Sequence, residues 1–203
     1  PVGRLYDMAD VDARWCLVHA THVTDLEVAM IAGSGAVVGL CPTTEADLGD
    51  GIFPATDFLG ADGRFGVGTD SHVATSVADE LRILEYGQRL RDRRRNRMAG
   101  RPGASVGRTL FDRALAGGGQ AAGVAVSGLA VGAPADLVVL DGRSPYLAAV
   151  QGDASLDRWI FGGLGPVVRD VMIGGRWLVE DGRHPEADAI DRAFAAALAR
   201  LRA

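Results

Sequence analysis

Short apolar runs alternate with amphipathic segments along the first hundred residues. Three of these runs are apolar throughout and bounded by glycine or polar residues, which predicts strands at 14–20 ("RWCLVHA"), 36–42 ("AVVGLCP") and 64–70 ("RFGVGTD"). Continuous apolar strands separated by helices are typical of parallel βαβ units that are buried on both faces. The pattern therefore predicts an α/β fold with a parallel sheet in this part of the chain.

Helix signals lie between and after these runs. Residues 24–35 predict a helix with Thr24 or Asp25 as N-cap and a glycine as its stop. A short helix is predicted over 55–63 and a long one over 76–98, whereas the polar stretch 43–54 predicts a loop.

The pattern changes between about residues 100 and 130. Residues 108–123 predict a helix that a glycine run ends, and alternating strands follow, at 135–142, 157–163 and 168–182. Gly174 and Gly175 can supply the positive φ angles of a two-residue hairpin turn. An alanine-rich helix ends the chain. We therefore predict a first domain over 1–125 and a second over 126–203.

Charge and composition exclude several classes of partner. The 203 residues carry a formal net charge of −5, which argues against nucleic acid and anionic membranes as partners. Six arginines between residues 89 and 97 are interpreted as a solvated helix face or as salt bridges. No apolar run approaches the roughly 20 residues that span a bilayer. Cys16 and Cys41 lie in apolar runs and are predicted to be reduced and buried, which favours a cytoplasmic protein.

Polar side chains follow each predicted strand. In parallel βα structures the reactive groups lie at the carboxyl ends of strands, so these positions are candidates for a site. Asp70 and His19 are the favoured pair, because each directly ends an apolar run. The structural alternatives are a helix cap or turn residue for Asp70 and a hydrogen-bonded core histidine for His19. The other candidates at these ends are His22, Cys41, Thr43, Thr44, Glu45, Ser71 and His72.

Four motifs occur in order at these positions: "HATH", "GLCPTTEADLGDG", "GVGTDSH" and, over 79–96, "DELRILEYGQRLRDRRRN". Together they resemble the second half of the metal-dependent amidohydrolase superfamily, in the branch that deaminates amidines and heterocycles, and most of all the formimidoylglutamate deiminase family. The resemblance implies that 1–125 is a partial TIM-type (β/α)8 barrel containing strands six to eight. It also implies that 126–203 completes part of a small β-sandwich and adds a C-terminal helix.

The same resemblance implies roles for individual residues. Asp70 matches the strand-eight aspartate that ligates one divalent metal, zinc, and handles the proton of the attacking water. His19 matches the strand-six histidine that hydrogen-bonds the nucleophile or the tetrahedral centre. Ser71 and His72 are candidates for substrate binding, with helix capping or support of neighbouring groups as equal alternatives. The implied reaction of histidine degradation converts N-formimidoyl-L-glutamate, a small molecule, to N-formyl-L-glutamate and ammonia.

The chain departs from the family pattern in its metal ligands. Its four histidines, at positions 19, 22, 72 and 184, form no His-x-His pair, and the strand-five histidine and its glutamate have no counterpart. A complete barrel needs about 250 residues. We therefore expect this chain to be the carboxy-terminal portion of an enzyme, inactive alone, whose missing N-terminal half supplies the other ligands.

Other interpretations of the chain stay open. The enzyme that contains it is either the deiminase or another amidohydrolase-type deaminase, acting on guanine or a related ring. Alternatively, the chain is a non-catalytic scaffold or assembly module, or a degenerate relative without a first half. A homodimer is compatible with each of these.

Overall fold

The computed structural model describes residues 2–125, 128–162, 165 and 167–202. It divides into two compact units, Pro1–Val126 with Val150–Gly163, and Ser127–Ala149 with Leu164–Ala203. The strands of the first unit are β1 (Cys16–Val18), β2 (Val37–Leu40) and β3 (Arg64–Val67). Its helices are α1 (Val2–Met8), α2 (Asp25–Ser34), α3 (Pro42–Leu48), α4 (Ala55–Gly60), α5 (Val77–Asp92), α6 (Val106–Ala122) and α7 (Asp153–Phe161).

The three strands of the first unit form a parallel sheet in the order β1-β2-β3. Val18 lies opposite Gly39, and Leu40 lies opposite Val67, so the strands end almost level with one another. The three predicted strands and their parallel arrangement are confirmed. Their carboxyl ends lie at one edge of the sheet, which we call the carboxyl edge.

The core of the first unit lies between this sheet and its helices. Helix α6 packs against β3 and β2, and Phe65 of β3 is 1% exposed beneath it. The close approach requires glycine, because a Cβ atom on Gly117 would overlap the carbonyl of Phe65. The predicted helix over 108–123 is confirmed as α6, which continues through the glycines at 117–119 and ends at Gly123, whose φ is +66°.

Local capping signals explain the ends of α2 and α5. The predicted N-cap Thr24 is confirmed and forms a capping box with Glu27. Helix α5 ends earlier than predicted, at Arg93 in the left-handed conformation. Beyond it, the fully buried carboxylate of Glu85 accepts hydrogen bonds from the backbone N–H groups of Arg97 and Met98, both at 2.9 Å. This tertiary contact holds the chain in a loop where the helix pattern would continue.

The loop predicted over 43–54 is partly wrong, because α3 occupies its first part. Pro42 stands at the start of α3, where its missing N–H is not needed. The side chain of Glu45 accepts a hydrogen bond from the N–H of Cys41 at 2.8 Å, and Gly49 ends the helix with φ +73°. This helix brings polar side chains to the carboxyl edge directly after β2.

The second unit contains β4 (Leu137–Leu140), β5 (Val168–Ile173), β6 (Arg176–Val179) and α8 (Ala187–Leu201). Its strands form an antiparallel sheet in the order β4-β5-β6. The predicted hairpin is confirmed, with φ of +56° at Gly174 and +78° at Gly175. The predicted C-terminal helix is confirmed as α8.

The prediction of a strand at 157–163 is wrong. Residues 157–161 lie in helix α7 of the first unit. Leu156, Trp159 and Ile160 have helical spacing, and Ile160 is fully buried. Residue 163 lies outside the described residues, as do residues 126 and 127 at the predicted domain boundary. The assignment of 126–203 to a β-sandwich therefore stays a prediction, and 150–163 groups with the first unit.

Both cysteines are free, and Cys41 is buried as predicted. Cys16 is exposed, so its predicted burial is wrong: β1 is an edge strand of the sheet. Among the described residues, no helix combines the length and apolar character needed to cross a membrane.

Candidate functional site

The imidazole of His19 lies between two carboxylates at the carboxyl edge. Its Nδ1 atom is 3.2 Å from Oε1 of Glu45, and its Nε2 atom is 3.7 Å from Oδ2 of Asp70. His19 directly follows β1, Glu45 lies in α3 after β2, and Asp70 follows β3. The structure thus brings together the histidine and the aspartate that the sequence singled out, whose roles remain predictions.

Both predicted residues leave their strands in an uncommon backbone conformation. The φ angle is +65° at His19 and +49° at Asp70, in the left-handed region that non-glycine residues seldom adopt. The N–H of His19 donates to the carbonyl of Gly39 at 2.8 Å, which holds the turn against β2. Such strained residues concentrate at functional sites, because the surrounding structure must hold them in place.

Glu45 is the buried member of this group, with a side chain only 7% exposed. Its burial raises its pKa, and the hydrogen bonds from the Cys41 N–H and from His19 oppose that rise. The sequence placed Glu45 at a strand end without giving it a role. The sequence signal for a role of Glu45 was its position in the segment after β2. The segments after the two neighbouring strands carry the candidate histidine and aspartate.

Cys41 completes a compact group of potential metal ligands. One ligand atom each of His19, Cys41 and Glu45 lies within 4.8 Å of the others. Burial and the nearby Glu45 raise the pKa of Cys41 to about 11, so without a metal its thiol is protonated at neutral pH. Nδ1 of His19 and Oε1 of Glu45 are also at hydrogen-bonding distance from each other. We therefore interpret this group as hydrogen-bonded support for His19.

Thr44 joins the loop after β2 to the loop that carries Asp70. Its hydroxyl donates to the carbonyl of Thr69 at 2.8 Å and accepts from the N–H of His72 at 3.1 Å. The residues on both sides of the Asp70–Ser71 pair are therefore held by one buried side chain. This arrangement limits how far the Asp70 carboxylate can move.

The remaining predicted residues differ in exposure. Ser71 is exposed, and His72 is half-buried with its Nδ1 accepting from the N–H of Ala74 at 3.1 Å. His22 is also exposed. Thr43 turns inward, where its N–H donates at 2.9 Å to Glu80, which is 1% exposed.

The donor set at the carboxyl edge fits part of a zinc site. Carboxylate oxygen and imidazole nitrogen both ligate zinc, and the Asp70 side chain is 43% exposed at the edge. Catalytic zinc generally takes three protein ligands and a water molecule. The exposed carboxylate of Asp70 therefore suits one ligand position of such a site.

Enzymes built on parallel βα sheets carry their active groups at the carboxyl ends of the strands, and an aspartate and a histidine meet at that edge here. Sequence comparison agrees with this class and makes it specific. The chain belongs to the amidohydrolase family, whose model matches residues 1–178.

Similar proteins are known from several bacteria. The chain is 60% identical to the formimidoylglutamate deiminase of Pseudomonas aeruginosa over 201 residues, which are 99% of this chain and 44% of that protein. It is 30% identical to the 5-methylthioadenosine/S-adenosylhomocysteine deaminase of Nitratidesulfovibrio vulgaris strain DSM 19637 / Miyazaki F, covering 93% of this chain and 42% of that protein.

Solved structures share the fold. The crystal structure of an amidohydrolase from Brucella melitensis matches with a TM-score of 0.93 and 51% identity, covering 100% of this chain and 44% of that one. An adenosine deaminase from Xanthomonas campestris, crystallised with bound zinc, matches with a TM-score of 0.80 at 24% identity, covering 100% and 45%, and shows the fold alone. The chain spans less than half the length of these relatives.

Proposed function

We propose that this chain is the carboxy-terminal portion of a zinc-dependent deiminase. The enzyme hydrolyses N-formimidoyl-L-glutamate to N-formyl-L-glutamate and ammonia, a step of histidine degradation. The observation that carries the proposal is the 60% identity, over 99% of the chain, to a protein named for this activity. The meeting of His19 with Asp70 at the carboxyl edge supports it, because the reaction needs groups of both kinds.

In this proposal β1, β2 and β3 are strands six to eight of a TIM-type (β/α)8 barrel. Residues 126–203 contribute part of a β-sandwich and the C-terminal helix. Active groups of such barrels lie at the carboxyl ends of the strands, where His19 and Asp70 are found. The missing N-terminal half supplies the remaining strands and metal ligands.

In this proposal Asp70 would be one ligand of the metal, which when bound would lower the pKa of its water to about 7. Asp70 would accept one proton of that water as the oxygen adds to the formimidoyl carbon, and Nε2 of His19 would hydrogen-bond the tetrahedral centre. Asp70 would return its proton to the terminal nitrogen, the bond between that nitrogen and the carbon would break, and the hydroxyl group would lose its proton as the formyl carbonyl forms. Both protons of the water would then leave on ammonia.

Ser71 and His72 are proposed to line the substrate site. Ser71 is exposed directly after Asp70, and the loop is held by Thr44 beside His72. The substrate is a small molecule, and a cytoplasmic location and a homodimer belong to the same proposal. Neither nucleic acid nor a membrane is a proposed partner.

The test is an assay of the full-length protein purified with zinc. We expect ammonia and N-formylglutamate from N-formimidoyl-L-glutamate, loss of activity after zinc is removed by a chelator, and recovery when zinc is restored. Guanine and 5-methylthioadenosine serve as comparison substrates. Faster release of ammonia from either of these ring compounds would show that the enzyme is a heterocycle deaminase. That activity is the second candidate, because the chain is 30% identical to a 5-methylthioadenosine/S-adenosylhomocysteine deaminase. A protein that binds no zinc and turns over none of the three would be a scaffold.

A further inference from the structure

Glu45 is a buried carboxylate at the carboxyl edge whose oxygen has two identified neighbours. Its Oε1 atom accepts a hydrogen bond from the backbone N–H of Cys41 at 2.8 Å and lies 3.2 Å from Nδ1 of His19. The residue as a whole is 5% exposed. A carboxylate is buried at high cost unless hydrogen bonds compensate it, so these contacts account for its presence there.

The hydrogen bond between Glu45 and His19 runs from the ring to the carboxylate when Glu45 is ionised. The N–H of Cys41 can only donate, and its hydrogen bond favours the ionised form of Glu45, which accepts hydrogen bonds only. Nδ1 of His19 is then the donor and carries a proton, and Nε2 is the ring nitrogen that faces Asp70 at 3.7 Å.

We propose that Glu45 is a positioning residue that fixes the orientation and tautomer of His19, so that Nε2 is presented to the reacting atoms. This inference rests on the proposed function for what Nε2 does, but the tautomer itself can be measured without turnover. Acidic partners commonly set which ring nitrogen of a functional histidine carries the proton.

The kinetic test uses Glu45→Gln in the full-length protein. We expect kcat to fall about 10- to 100-fold, the range for partners that orient a functional group, with KM for N-formimidoyl-L-glutamate and zinc content nearly unchanged. In a His19→Asn background the same substitution should lower kcat less than about 3-fold. If Glu45 acts through His19, the effects of the two substitutions on kcat are not additive. An equal fold-loss in both backgrounds would overturn the proposal.

The tautomer test uses 15N-histidine NMR of the same full-length protein, with the His19 signals identified by their absence in His19→Asn. We expect a protonated Nδ1 and an unprotonated Nε2 for neutral His19, and a weaker preference for this tautomer in Glu45→Gln, because a neutral amide oxygen is a poorer acceptor than a carboxylate. Glu80→Gln is the matched control, because Glu80 is an equally buried glutamate that binds Thr43, and it should leave the tautomer unchanged.

The outcomes separate this inference from the proposed function. A wild-type protein that carries its proton on Nε2 overturns the positioning role, even if no Glu45 variant folds. A wild-type protein with Nδ1 protonated but without release of ammonia from N-formimidoyl-L-glutamate overturns the proposed reaction and leaves the orientation of His19 established.

Discussion

Nε2 of His19 lies 3.7 Å from Oδ2 of Asp70, although one residue follows the first strand of the parallel sheet and the other follows the third. The distance is set by two features, the level ends of the strands and the left-handed backbone at both residues. Between them in the chain lies α3, which brings Glu45 to the other side of the imidazole.

Asp70→Asn in the full-length enzyme is expected to lower kcat by about 100- to 10,000-fold, the usual contribution of a proton-handling group, with a loss of bound zinc. Asparagine tolerates the left-handed backbone, so the fold should be retained. Activity, zinc content and the unfolding midpoint measure the three effects.

Asp62→Asn is the matched control for Asp70→Asn. Asp62 also has a positive φ, +58°, but its carboxylate pairs with Arg113 at 3.0 Å, before β3 and away from its carboxyl end. Near-normal turnover in Asp70→Asn, or an equal loss in both variants, would remove Asp70 from the reaction.

Thr44→Val is expected to reduce stability by about 0.5–1.5 kcal/mol, because it removes the hydroxyl that binds both the Thr69 carbonyl and the His72 N–H, which remain hydrogen-bonded to each other at 3.0 Å. Turnover should fall as well, since the loop that carries Asp70 is no longer held. Thr44→Ser keeps the hydroxyl and should lose little of either. Chemical unfolding and steady-state kinetics compare the pair, and equal stability of the two variants would contradict the bridging role.

Gly117→Ala and Gly118→Ala should differ sharply although they are neighbours in α6. A methyl group on Gly117 would overlap the Phe65 backbone, whereas one on Gly118 meets nothing within 4 Å. We expect Gly117→Ala to prevent native packing or destabilise the protein strongly. Gly118→Ala should be neutral or stabilising by up to about 1 kcal/mol, from helix propensity. Thermal unfolding measures both, and similar midpoints would mean that α6 does not contact β3 in this way.

Glu27→Gln should change how stability depends on pH. Hydrogen bonds from the backbone N–H groups of Thr24 and Gly3 lower the pKa of Glu27 to about 2, from an ordinary value of 4.5. A carboxylate with a lowered folded-state pKa stabilises the fold above pH 4.5, and this contribution is lost as the pH falls toward 2. The variant should therefore lose less stability than the wild type between these pH values.

Asp25→Asn is the control for that experiment, because it removes an exposed carboxylate from the same turn of α2. The variant should keep the pH dependence that Glu27 provides. Unfolding midpoints measured at a series of pH values would refute the assignment if the Glu27→Gln curve followed that of the wild type.

Much of the local structure was predictable because its signals act over a few residues. The apolar runs of β1, β2 and β3, the capping box of α2 and the glycine pair of the β5–β6 hairpin all match their patterns. The failures have tertiary causes. Helix α5 stops before its predicted end, where Glu85 binds the backbone of Arg97 and Met98, and α7 forms where the apolar residues suggested a strand.

The sequence by itself determined that His19 and Asp70 follow two strands, because hydrophobic patterning and turn residues are properties of neighbouring positions. Only the tertiary structure decided that the two side chains meet and that Glu45 holds the imidazole from its other side. These contacts depend on the parallel register of the strands and on α3, which starts directly after β2. Register and helix placement follow from packing across the whole unit, which no short stretch of sequence encodes.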